Sequence, residues 1–380
     1  MNKNTQVIKF IKDYYGSDFV PLHRPVFKGN EKEYLIQCID SNFVSSVGDG
    51  IIEFENKIAK FIGSKYAVAI VNGTSALHIA LKLSNVKPGD EVITQALTFV
   101  ATCNAISYLG ARPIFIDVDK KTMGLSPDAL SLFLDQNAII DKQGNTINKT
   151  TGKIISACVP VHTFGYPCRI DKIVAICEKF HIPVIEDAAE SLGSKYKNRS
   201  TGLFGSCGIL SFNGNKIITT GGGGMIVTDD KNLALLCKHL TTTAKKPHIY
   251  YYKHDKIGYN YRMPNLNAVL GLAQMEKIDY FINEKRKNAK TYEEFFKNIG
   301  IEFFKEPVDA LSNYWLNCIL LDSNSDKVAF LEQANAQGVM ARPIWTLMSD
   351  LKMFKNCQNN GLKNSRWLEK RVVCIPSSVK

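Results

Sequence analysis

The sequence predicts an α/β protein: a large, mostly parallel sheet domain followed by a smaller α+β C-terminal domain. Three observations predict it. From about residue 64 to 230, short apolar runs alternate with helical patterns, as in a parallel sheet covered by helices on both faces. After about residue 245 the texture changes to a long, highly charged helical pattern and then to shorter strands. The chain has 380 residues, 45% hydrophobic and 22% charged, which suffices for a large core and more than one domain. We expect one division, with an N-terminal helix and the large α/β domain in 1–245, and an interdomain helix and the small domain in 246–380.

The opening stretch "MNKNTQVIKFIKDYYG" sets Lys3, Lys9 and Lys12 among apolar residues. It reads as a short amphipathic helix and lacks the uninterrupted apolar core of a signal peptide. "KYAVAIV" (65–71) is a strand and "GTSALHIALKLSNV" (73–86) a helix. "DEVITQAL" (90–97), "FVATCNAISYLG" (99–110) and "RPIFIDVD" (112–119) repeat strand, helix, strand. The polar, turn-rich "DKQGNTINKTTGKI" (141–154) reads as a surface hairpin inserted before the strand "KIISACVPV" (153–161). The helix "RIDKIVAICEKFH" (169–181), the strand "IPVIED" (182–187) and the strands "GILSF" (208–212) and "GMIVTD" (224–229) close the series. A long helix over roughly 265–297 then leads to strands such as "YWLNCILLD" (314–322). In such sheets ligands gather at the carboxyl ends of the strands.

Composition narrows the function. No apolar run approaches the roughly 20 residues that cross a bilayer, so no membrane partner is expected. Ten cysteines lie far apart, the closest pair being Cys168 and Cys177, and no Cys/His set has metal-site spacing. Buried, reduced thiols in a cytoplasmic protein account for them, and no metal is expected. The net charge of +11 is spread over scattered lysines without a nucleic-acid-binding motif. A basic surface that steers a small polyanionic substrate is the alternative reading.

Three motifs carry the chemistry. "NGTSALH" (72–78) joins a strand to a helix, with Gly73 in the turn and Thr74 and Ser75 at the helix start. That is either a phosphate site, where unpaired N–H groups and the helix dipole face the ligand, or plain capping. "IPVIEDAAESLG" (182–193) ends an apolar strand on Glu186 and Asp187. A carboxylate there either receives a protonated ring nitrogen or caps the following turn. "SFNGNKIITTGGGG" (211–224) sets a single lysine, Lys216, between an apolar strand and four glycines. It is either an exposed lysine or an amine for Schiff-base chemistry, with Ser211 placed to donate to a phosphate. The glycines match neither a GxGxxG fingerprint nor a GxxxxGK[ST] loop. They read as a permissive turn into the next strand. A phosphate cradle, a strand-end carboxylate and a later strand-end lysine form the ordered set that pyridoxal phosphate requires.

With these motifs the chain resembles the DegT/DnrJ/EryC1/StrS sugar aminotransferases, whose fold is aspartate aminotransferase-like (pyridoxal phosphate fold type I). "GDGIIEFENKIAKFIGSKYAVAIVNGTSALHIAL", "PGDEVITQALTFVATCNAI", "IPVIEDAAESLG", "SFNGNKIITTGGGGMIVTDD" and "GYNYRMPNLNAVLGLAQ" stand in that family's order and spacing, and the resemblance runs from about Pro21 to the C-terminus. It implies that Lys216 links to the cofactor and moves the proton, and that Asp187 pairs with the ring nitrogen. It implies that Thr74, Ser75 and Ser211 hold the phosphate, with Gly73 among the cofactor-binding residues, that Phe99 stacks on the ring and that Glu190 lies near the ring hydroxyl. Asn213 stands where relatives often carry His. Asn260, in "GYNYRM", is implied to reach the phosphate of the neighbouring subunit, making the enzyme a homodimer with a shared site. Relatives that remove a sugar hydroxyl carry His in place of the lysine, so Lys216 favours transamination.

"PLHRPVFKGNEKEYLIQCID", "FVSSVGDG", "CVPVHTFGYPCRID" and "LTTTAKKPH" look most like the branch that makes 4-amino sugars for legionaminic acid. The implied substrates are L-glutamate and a UDP- or GDP-linked 4-keto-6-deoxy-N-acetylhexosamine. A perosamine precursor is the alternative sugar. His162, Arg262 and the lysines of "TTTAKKPH" are the candidate sugar-nucleotide contacts. The alternative of another class is a cofactor-binding regulatory protein of the same fold that does not turn over.

Overall fold

A computed structural model describes residues 2–380. Seven strands form the central sheet, in the order Tyr66–Ile70, Gly224–Thr228, Cys207–Ser211, Ile185–Asp187, Ile155–Val159, Glu91–Gln95, Arg112–Ile116. The parallel bridges Cys158↔Val184 and Val161↔Asp187 join its two halves. Gly224–Thr228 alone runs antiparallel to both of its neighbours. The reason is local. The chain between Ser211 and Gly224 holds no helix, and a parallel return needs a crossover of that kind. The sheet is therefore mostly parallel, as predicted, with this one reversal.

Helices Gly73–Leu83, Val100–Tyr108 and Ile170–Lys179 fall where the apolar periodicity puts them, trimmed at their ends. The hairpin is present, with arms Ala138–Ile140 and Thr146–Asn148. Asp141 shapes its turn by accepting the N–H groups of Gln143 and Asn145. The helix Asp49–Ile62 buries Ile51, Phe54, Ile58 and Ile62, one stripe at helical spacing. The N-terminal helix Lys3–Tyr15 buries Val7, Ile8 and Ile11 in a core shared with Phe296, Phe303 and Phe330.

The long helix expected over 265–297 is two helices, Asn265–Met275 and Ile278–Ile299. Glu276 and Lys277 break it, although neither Gly nor Pro marks the place. The break serves two cores. Ala268, Leu272 and Met275 pack with Phe54 and Phe212, whereas Tyr292 and Phe296 pack with the C-terminal elements. Tyr34 and Asn30 hold the Glu276 carboxylate at the junction.

The C-terminal part carries an antiparallel sheet in the order Glu302–Phe303, Asn317–Leu320, Val372–Ile375, Arg342–Pro343. Helices Asn324–Ala336 and Lys363–Glu369 accompany it. All ten cysteines are free thiols, nine of them buried. Among the described residues no helix is long and apolar enough to cross a membrane.

Candidate active site

A cavity of about 370 Å3 opens at the carboxyl ends of the central strands, against Trp315 and Trp345 of the C-terminal part. Gly73, Thr74, Phe99, Asp187, Glu190, Ser211, Asn213 and Lys216 line it. The chain thus gathers eight of the expected residues around one space, together with Asn72, Thr102, Trp315 and Trp345.

The floor is the turn into Gly73–Leu83. Asn72 Oδ1 accepts the N–H of Ser75 at 2.8 Å, which caps the helix and leaves Gly73 and Thr74 facing the cavity. A Cβ on Gly73 would lie 3.1 Å from Ser211 Cβ and 3.3 Å from its Oγ, so glycine lets the two strand ends close into one cradle. The glycine run has a related use. A Cβ on Gly224 would lie 2.5 Å from the carbonyl carbon of Asn72 and 2.6 Å from the nitrogen of Gly73. The last of the four glycines therefore lets the antiparallel strand pass directly beneath the cradle.

Asp187 ends its strand inside the cavity. Its carboxylate accepts Thr102 Oγ1–H at 2.7 Å and the N–H of Ala189 at 3.2 Å. Burial raises its pKa, and the Thr102 hydrogen bond pulls it back down. It has no ion pair among the described residues, so a protonated ring nitrogen would satisfy it. Glu190 accepts the N–H of Phe164 at 2.8 Å and faces Lys216 Nζ at 3.4 Å. Burial raises the Glu190 pKa too, with the Lys216 charge opposing.

Lys216 lies on the turn after Ser211, its N–H bonded to the carbonyl of Asn213. Its amine sits 3.9 Å above the centre of the Trp315 ring. The Trp315 indole N–H donates to the carbonyl of Asn215, the residue before Lys216. Phe99 is 54% exposed at the cavity mouth, its ring 6.3 Å from that of Trp345. Trp315, Trp345 and Thr102 had no signal in the sequence. Each faces the site only once distant segments are docked.

Four expected residues lie outside this lining. Ser75 follows the cradle, its N–H taken by Asn72. Asn260 is exposed, and its Oδ1 accepts Arg262 Nε–H and Nη2–H at 3.3 and 3.1 Å, so both stand away from their own chain's cavity. Lys245 and Lys246 are on the same exposed arm, Lys245 over the Tyr252 ring.

His162 does not face the cavity at all. It is fully buried, Nε2 bonded to Glu186 at 3.0 Å and Nδ1 accepting the N–H of Cys168 at 3.2 Å. The pleat explains this. Successive strand residues point to opposite faces, so Asp187 enters the cavity and Glu186 goes behind the sheet. There Glu186 also accepts the N–H groups of Gly202, Phe204 and Gly205 at 2.8, 2.5 and 2.8 Å. The pair braces the loop that leads into Cys207–Ser211, and His162 is no sugar contact.

An amine beside Glu190, a buried carboxylate without an ion pair among the described residues and a glycine-lined helix start are the donor set that pyridoxal phosphate needs, and the residues present fit it. Fold and site together define a pyridoxal-phosphate-dependent sugar aminotransferase. The sequence profile of the DegT/DnrJ/EryC1/StrS aminotransferase family matches residues 25–380, and the chain belongs to that family. The GDP-perosamine synthase of Escherichia coli O157:H7 is 39% identical over 338 residues, covering 88% of this chain and 87% of that protein. The GDP-perosamine synthase of Caulobacter vibrioides is 35% identical over 353 residues, covering 89% and 90%. The X-ray structure of an aminotransferase from Psychrobacter cryohalolentis superposes with a TM-score of 0.82 at 28% identity, covering 94% of this chain and 93% of that one.

Proposed function

We propose that the protein moves the amino group of L-glutamate to C4 of a nucleotide-linked 4-keto-6-deoxyhexose, for bacterial surface glycan synthesis. The observation that carries this reading is the Lys216 amine, held between Glu190 and the Trp315 face in a cavity that also contains Asp187. Bound pyridoxal phosphate supplies an aldehyde that captures amines and a ring that stores the electron pair left when a proton departs. The chain's own residues do the rest. Asp187 keeps the ring nitrogen protonated, and Thr102 orients Asp187. Lys216 takes the proton from the α-carbon of glutamate and, in the second half-reaction, delivers a proton to C4 of the sugar. Glu190 holds the amine in line, and Trp315 covers it from water. Ping-pong kinetics follow.

Two sugars have specific support. Relatives named GDP-perosamine synthases, at 39% and 35% identity, favour a GDP-linked perosamine precursor. The motifs around Pro21, His162 and Thr241 favour the N-acetylated sugar of the legionaminic acid branch. The enzyme works in this reading as a cytoplasmic homodimer in which Asn260 and Arg262 act on the partner subunit's site. The test is a panel of GDP- and UDP-linked 4-keto sugars with glutamate, products identified by mass and NMR. A Lys216→Ala protein that turned over at the wild-type rate would sink the proposal. A visible cofactor band that glutamate never bleaches would point to the regulatory alternative instead.

A further inference from the structure

We propose that Lys285 is a positioning residue for the reacting amine: it fixes Trp315, the platform beneath Lys216, by tying the Trp315 carbonyl to the C-terminal segment. The inference rests on the reading of Lys216 as the reacting amine.

Lys285 lies on the helix Ile278–Ile299 and is 1% exposed. Its Nζ donates to the carbonyls of Trp315 at 3.1 Å and Ser377 at 2.6 Å. No carboxylate pairs with it among the described residues. Burying an amine without a counter-ion is costly, and burial holds its pKa well below the ordinary lysine value. Its two hydrogen bonds both go to backbone carbonyls, one on each of two separate segments. The frame behind Trp315 therefore supplies hydrogen bonds to two backbone carbonyls, one of them that of Trp315 itself.

Trp315 is gripped on its other sides as well. Its backbone N–H donates to Asn313 Oδ1 at 2.8 Å. The Asn313 amide in turn donates to the carbonyls of Glu190 and Leu192 at 3.0 and 2.9 Å. Tyr314, just before Trp315, has a φ of 47°, a left-handed conformation that a non-glycine residue adopts only when its surroundings impose it. The far anchor is equally fixed. The hydroxyls of Tyr15 and Tyr292 donate to the carbonyl of Pro376, and Asn288 donates to that of Ser378. Ser377 Oγ accepts the N–H of Asn317 at 2.8 Å. A path of direct contacts thus runs from Ser377 through Lys285 and Trp315 to Lys216.

Lys285→Met keeps the length of the side chain and removes both donors. We compare it with Lys285→Gln, Trp315→Phe and the Lys285→Met/Trp315→Phe double variant. Melting temperature and tryptophan emission are read without cofactor. The loaded enzyme gives kcat, KM and the pH at which its visible band titrates. We expect Lys285→Met to fold, with altered tryptophan emission and a shifted band titration. Its kcat falls about ten- to a hundredfold while the sugar-nucleotide KM stays within about twofold. Lys285→Gln retains part of the rate, and the Lys285→Met loss does not add to that of Trp315→Phe. If Lys285→Met melts earlier but keeps wild-type emission, kcat and band titration, Lys285 only supports the fold and the proposal is overturned. Additive losses overturn it as well, because they break the link through Trp315. Should Lys285→Met not fold, Lys285→Gln is judged by the same criteria. A failure of the underlying reading appears elsewhere, as turnover by Lys216→Ala, and leaves the cofactor-free emission result standing.

Discussion

Thr102→Val isolates one hydrogen bond to the ring-facing carboxylate. Thr102 Oγ1 donates to Asp187 Oδ2 at 2.7 Å, with Thr102 1% and Asp187 5% exposed. Valine keeps the shape and removes the donor, leaving the carboxylate only the longer bond from the N–H of Ala189 at 3.2 Å. A buried hydrogen bond to a charged acceptor contributes about 1.5–3 kcal/mol, roughly tenfold to a hundredfold in an equilibrium constant. Burial already raises the Asp187 pKa, and Thr102 is the largest influence lowering it. Its loss makes the ionised form harder to keep. Cofactor affinity, titrated by visible absorbance, should therefore fall by that factor. The acid limb of kcat/KM for glutamate should move up by about one to two pH units, at 1.36 kcal/mol per unit. Unchanged affinity together with an unmoved acid limb would refute the assignment of Asp187 as a carboxylate whose charge Thr102 sustains.

Two further outcomes follow from the geometry. In Gly224→Ala the new Cβ meets backbone atoms of Asn72 and Gly73 at 2.5 to 2.6 Å, so the cradle must shift. We expect a stability loss of about 1–3 kcal/mol by denaturant melting and weakened cofactor binding, whereas unaltered binding would separate the glycine run from the phosphate site. Asp187→Asn should lose the cofactor yet spare the empty protein a buried carboxylate. Because burial raises the folded pKa of Asp187, the stability it contributes is complete below the unfolded value of about 4 and disappears as pH rises through the folded value. Melting of the cofactor-free proteins should accordingly show the wild type losing ground to Asp187→Asn as pH rises from about 4 toward neutrality. Parallel pH curves would contradict the sign.

Much of the fold was legible because helix and strand periods report local burial. The runs that became Tyr66–Ile70 and Cys207–Ser211 are mostly apolar because both faces of the sheet are covered. The reversal of Gly224–Thr228 was not legible, since strand direction depends on what the connection holds. Nor was the break at Glu276 and Lys277, where two cores pull one helical pattern apart and no breaker residue marks the spot.

The site divides in the same way. The order of Gly73, Asp187, Ser211 and Lys216 at turn and strand ends is a property of the chain itself. Strand ends on one edge of a parallel sheet converge, so their chemistry could be assembled before any coordinates. The face each side chain takes, and its distant partner, came only with tertiary structure. His162 was expected at the sugar and lies behind the sheet on Glu186, because the pleat turns Glu186 away from Asp187. Thr102 meets Asp187 across 85 residues of sequence, and the Trp315 indole meets the carbonyl of Asn215 across 100. Contacts of that range leave no local period, because packing of the helix Val100–Tyr108 on the sheet brings Thr102 to Asp187, and docking of the C-terminal part, with Lys285 closing the frame behind Trp315, brings Trp315 to Asn215.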